Sequence, residues 1–151
     1  MATHQQVAIR WIAGHDTSAK GYAVFFEGDT IYSYGHHFAI ARIVKTDTGT
    51  VCLFNSEGYS VSTAKHKTIV RRELARWRPA MPVLEVPFVR HAERMHEVNY
   101  RDLCRRAAEA LDKAKRARVY RAHWESVASG LMADSWQYAS AFQVSVFSEA
   151  A

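Results

Sequence analysis

His36 and His37 stand side by side at the end of the stretch IYSYGHH (31–37), and Lys65 and His66 form a second basic pair farther along the chain. With Tyr32 and Tyr34, these are the side-chain types of a metal-independent phosphodiester-cleaving site. Histidine or tyrosine would move the 2′-hydroxyl proton, and lysine would steady the charged phosphate. The same residues have a packing reading, in which Tyr32 and Tyr34 lie against Phe25 and the histidines sit on a loop. The sequence leaves both open. Glu93 and His96 have the i, i+3 spacing of half a carboxylate-bridged di-iron site, but a second Glu-x-x-His is absent. The two cysteines, Cys52 and Cys104, lack zinc-ligand spacing. No metal or cofactor is therefore expected. Cys104 has Arg105 and Arg106 beside it, a setting that favours reactive thiols, yet it falls inside a helical pattern and reads as a core residue. Phosphate-loop, nucleophile-elbow and dinucleotide motifs are missing.

Positive charge is the stronger signal. The 151 residues carry a net +5, gathered in two segments. Residues 65–78 hold Lys65, Lys67, Arg71, Arg72, Arg76 and Arg78 against Glu73 alone, and residues 101–121, with Arg105, Arg106, Arg116 and Arg118 among them, hold eight bases against three acids. Such charge binds phosphate backbones; its bland counterpart is the solvated face of an amphipathic helix. With one acid among six bases, 65–78 favours function. The longer segment is even between the two, and neither matches a named recognition helix.

These residues need elements to position them. QVAIRWI (6–12) places Val7, Ile9 and Trp11 at period two and predicts a strand; HDTSAKG reads as a loop. Gly28-Asp29 between β-rich runs predicts a hairpin in which Glu27 faces Thr30, Phe25 faces Tyr32, and Ala23 faces Tyr34. FAIARIV (38–44) fits a strand or a helical turn, and VCLFN (51–55) a buried strand. A helix from about 64 to 78 follows, capped by Ser62 or Thr63, with Val70 and Leu74 buried and Arg71, Arg72 and Arg78 exposed. All three prolines fall at 79–87, which predicts an extended linker over 79–88. Asn99 resembles a helix start, and one long helix from 100 to 129 would stop at Gly130. A short helix with Trp136, Ala139 and Phe142 and an apolar end complete the chain. The expected class is α+β: an antiparallel sheet in the N-terminal half with a packed helix, then a largely helical C-terminal half over 89–151. No apolar run reaches the length of a membrane span and no signal core opens the chain, so a cytoplasmic protein with free thiols is expected.

The run FFEGDTIYSYGHHFAIARIV, followed by VCLFNSEGYSVSTAKH, resembles a family of small phage and mobile-element proteins. Tyr32-Ser-Tyr34-Gly-x-His-Phe-x-Ile-Ala and Thr63-x-Lys65-His66 carry the resemblance, over about residues 22–70. It implies a binding or inhibitory protein, acting on nucleic acid or on a host nucleoprotein complex such as a defence nuclease. The chemistry at His36, His37, Lys65 and His66 is the alternative. A structural virion protein that forms homo-oligomers through the long helix is the third.

Overall fold

Gly28 turns the chain at positive φ (59°) between β2 (Val24–Glu27) and β3 (Thr30–Ser33), in the expected register of Phe25 opposite Tyr32 and Glu27 opposite Thr30. The computed structural model describes residues 1–145. Around the hairpin a six-stranded sheet runs in chain order: β1 (Ser18–Lys20), β2, β3, β4 (Ala39–Thr46), β5 (Gly49–Asn55) and β6 (Val83–Val86). The β1–β2, β2–β3 and β3–β4 pairs are antiparallel, and β6 joins β5 in parallel. With four α-helices and one short 3-10 turn besides among the described residues, the class is α+β.

Three local expectations need correction within this part of the chain. Residues 6–12 form no strand but lie in helix α1 (His4–Ala13). Thr3 and Gln6 form a reciprocal capping box, and Gly14 closes the other end in the left-handed conformation. Val7, Ala8, Trp11 and Ile12 are the buried positions, a helical spacing that the alternation of Val7, Ile9 and Trp11 concealed. The loop expected at HDTSAKG contains edge strand β1. The presumed linker contains β6, whose register puts Leu84 opposite Leu53; Pro82 and Pro87 flank it, as edge position allows.

Helix α2 (Val61–Trp77) starts slightly earlier than expected, because Ser60 is the residue that caps it, accepting the Thr63 N–H. Together α1 and α2 cover one sheet face. Val7, Trp11, Val70 and Leu74 meet Phe26, Ile31, Ile40 and Phe54 in a single apolar core. The alternation along the hairpin decides what faces this core: Val24, Phe26 and Ile31 point inward, while Phe25 and Tyr32 stack on the opposite face, centroids 5.1 Å apart.

The chain divides into two compact units, Met1–Lys45 with Thr50–Arg90, and Thr46–Gly49 with the chain from His91 onward. In the second unit the single long helix is replaced by two, α3 (His96–Arg116) and α4 (Arg121–Phe142). They run antiparallel: His96 meets Tyr138 at 2.6 Å, while Lys113 lies over the Trp124 ring at 4.5 Å. The apolar stripe Leu103, Ala107, Ala110 and Ala114 is narrow, and doubling the chain back is what covers it. Arg121 donates to the Ala114 and Lys115 carbonyls, satisfying the last turn of α3 without glycine. Asn99 is not a cap but a buried donor to the Tyr138 hydroxyl. Gly130 lies inside α4, and the separately expected short tail helix is its continuation; part of the expected apolar end lies outside the described residues. Among the described residues, no helix is long and apolar enough to cross a membrane.

Candidate nucleic-acid interface

At 3.6 residues per turn, the bases of α2 sort into two stripes flanking its buried face. Lys67, Arg71 and Arg78 lean toward the strands. Lys67 donates to the Glu57 carbonyl at 3.0 Å and lies 5.7 Å from the Phe54 ring centroid. Burial, then the neighbouring Arg71, lowers its pKa. Arg71 lies over Phe54 and pairs with Glu85, and Arg78 is half-buried. Lys65, Arg72 and Arg76 form the other stripe, and all three are exposed. Neither Lys65 nor Arg76 has an ion-pair partner among the described residues. The Arg72 guanidinium comes only to 3.9 Å of Glu73, whose buried carboxylate already accepts from Gln5 and Trp77. Val70 and Leu74 are buried and Arg71 and Arg72 exposed, as the spacing predicts, whereas Arg78 is only partly so.

The arginines of α3 are arranged differently. Arg101 pairs with Glu97, Arg105 with Asp102 and Glu109, Arg106 with Asp102, and Arg116 with Asp112, all at helical i, i+3 or i, i+4 spacing. Arg118 lies beyond the helix end and is exposed. The four arginines of α3 are thus paired along its own face, while Lys113, Lys115 and Arg118 keep the segment net positive.

The histidines do not converge. Adjacent strand residues point to opposite faces, so Tyr32 and Ser33 hold two different histidines on opposite sides of β3. On the Tyr32 side, His36 packs edge-on to Phe25 and Tyr32, at 5.1 and 5.0 Å, and pairs with Glu27 at 2.9 Å. On the Ser33 side, buried His66 places Nδ1 2.7 Å from the Ser33 hydroxyl, which lies 3.2 Å from that of Thr63. Ser60 donates to Thr63 at 3.0 Å, so the hydroxyls chain from Ser60 through Thr63 and Ser33 to the ring. Burial first, then the neighbouring His4, pushes the His66 pKa below its ordinary value. A neutral ring accepting at Nδ1 fits that chain. His37 belongs to a third group, edge-on to Tyr59 at 5.3 Å. The expected cluster of His36, His37, Lys65 and His66 is thus divided, with His66 committed to a buried network.

Tyr34 departs from expectation most. It does not pack on Phe25. Its backbone takes φ 65°, its N–H bonds to the Ala23 carbonyl at 2.7 Å, and its half-exposed ring tilts over His66 at 5.3 Å. A left-handed bulky residue carries strain of about 1–3 kcal/mol. A Cβ at Gly35, which follows, would lie 2.9 Å from the His37 ring, so a side chain there would require that ring to shift. Beside this turn is a cleft of about 350 Å³, walled in part by Lys20, Tyr22, Phe25, Glu27, Tyr34 and His36. Sequence reasoning missed Lys20, Tyr22 and Glu27 as site residues, because β1, the connection after it and β2 bring them to Tyr34 only in the folded sheet.

Elsewhere, Cys52 is buried in the core with its thiol pushed up to about 12 by burial, and both cysteines are free. His96, considered above as half a di-iron pair, is hydrogen-bonded to Tyr138, whose own pKa is raised chiefly by burial. Comparison with family models, curated proteins and solved structures finds no match for this chain.

Proposed function

We propose that this protein binds nucleic acid without cleaving it, through the phosphates, along the exposed stripe of α2. The observation that carries the reading is the stripe itself. Lys65, Arg72 and Arg76 share one solvent-facing side of a helix whose other bases are half-buried or, like exposed Arg71, paired with a carboxylate; the nearest carboxylate to the stripe is that of Glu73, 3.9 Å from Arg72. Three exposed cations along one helix face, with only the distant Arg72–Glu73 pair among them, suit a polyanion, since contact with phosphates releases condensed counterions and gives affinity without reading sequence. The separation of His36 from His66 by the hairpin favours binding over the phosphodiesterase alternative, because a general acid and base must reach one phosphate together. The paired arginines of α3, including Arg105, Arg106 and Arg116, are assigned to the stability of that helix.

Labelled single- and double-stranded DNA and RNA, incubated with the protein in EDTA, test this directly. Retention of intact strands supports the reading. Cleavage would restore the histidine chemistry, and negligible affinity for every free strand would move the target to a nucleoprotein complex or a protein.

A further inference from the structure

The cleft beside the Tyr34–His37 turn adds a second kind of contact. We propose that it receives an unstacked base of a single strand whose phosphates lie along α2, an inference that rests on the nucleic-acid reading above. The cleft, at about 350 Å³, falls at the lower end of ligand-sized pockets. Two of its rings are strongly exposed, Tyr22 at 86% and Tyr34 at 52%. Exposed aromatic rings gathered at a cleft are a stacking platform, and any base offers a π-face to it.

Tyr34 supplies the sharper argument. Its positive φ is a conformation that glycine adopts without strain. The Ala23 hydrogen bond that fixes the turn uses only the Tyr34 backbone, so glycine would serve the turn better. What tyrosine adds is a half-exposed ring at the mouth of a cleft. The ring tilts over His66 and leaves half its surface to solvent, and strain retained for a half-exposed ring points to a use beyond that one contact.

The cleft also has polar edges. Glu27, held by His36 at 2.9 Å, offers a carboxylate to base amino and imino hydrogens, and Lys20 offers a donor to base carbonyls. The cleft reaches α2 through Tyr34, whose ring lies against His66, the residue after Lys65, the first cation of the stripe. A duplex keeps its base faces stacked and cannot fill this cleft. A single strand can turn one base into it.

The test uses the full chain in EDTA. A single-stranded oligonucleotide carrying 2-aminopurine is compared with the duplex of the same sequence, by anisotropy at one salt concentration and by 2-aminopurine emission. The parent is expected to favour the single strand about tenfold, with emission altered by stacking. Tyr34→Gly should reduce that preference toward unity while the variant remains folded at the assay temperature, as checked by thermal unfolding, and Tyr34→Phe should keep it. Equal binding of single strand and duplex by the parent, or a Tyr34→Gly variant as selective as the parent, overturns the base cleft and leaves the phosphate reading standing. No binding of either form defeats both.

Discussion

Tyr32 and Tyr34 are two residues apart and serve different ends. Tyr32 is buried, stacked on Phe25 and capped edge-on by His36. Tyr32→Ala is therefore expected to cost about 3–5 kcal/mol, as buried aromatic truncations do, visible as a lower denaturant midpoint. Ser33, between the two, links Thr63 to His66 in a buried chain. Ser33→Ala leaves those groups short of a partner and should cost about 1–3 kcal/mol. The same chain predicts a pH dependence. His66 has a folded pKa below its ordinary value, so the unfolded chain binds that proton more readily. The stability it contributes is complete above the unfolded value of about 6.5 and is lost as pH falls below it. Melting followed between pH 7 and pH 5 should show this loss, and His66→Gln should flatten it. A His66→Gln profile as steep as the parent's would assign the titration to another group.

Among the elements, α1 depends on its caps. Thr3→Ala removes the acceptor of the Gln6 N–H and should destabilise by about 0.5–2 kcal/mol, measurable by thermal unfolding. That capping box also shows where sequence reading failed. Thr3-x-x-Gln6 and Gly14 were both present, but Val7, Ile9 and Trp11 fit period two and drew the strand reading. The β2–β3 hairpin was legible down to its register because Gly28-Asp29 and the flanking aromatics agree on one turn. β6 was hidden by prolines, which an edge strand tolerates outside its paired core, and β1 by its brevity. The corner between α3 and α4 has neither glycine nor proline; Arg121 reaching back to carbonyls of the preceding helix closes it, a contact no local pattern announces. The candidate site was legible in the same uneven way. Composition located the cations of α2, but only packing separated Lys65, Arg72 and Arg76 from Lys67, Arg71 and Arg78. The cleft at Tyr34 is walled by residues 20–36 alone, but strand pairing and the turn after β3 are what bring them together, so spacing gave Tyr34 a packing or a proton-transfer role and not a place in a cleft.

At the scale of the whole molecule, two segments of equal net charge differ in what that charge faces. The α3 arginines are matched by acids one turn away, and the outer stripe of α2 is not. Reversal of Arg105 and Arg116 to Glu should therefore weaken α3 slightly and leave nucleic-acid affinity close to the parent's. Reversal of Lys65, Arg72 and Arg76 should not. Each phosphate contact on a single strand contributes about 0.7 to the slope of log affinity against log salt. The most direct measurement is that slope, from 50 to 200 mM salt, for the parent and for the Lys65→Glu, Arg72→Glu, Arg76→Glu triple variant. The account predicts that the triple variant loses affinity and that its slope is shallower by about 2. A triple variant that keeps the parent's affinity and slope, with its fold intact, would contradict it.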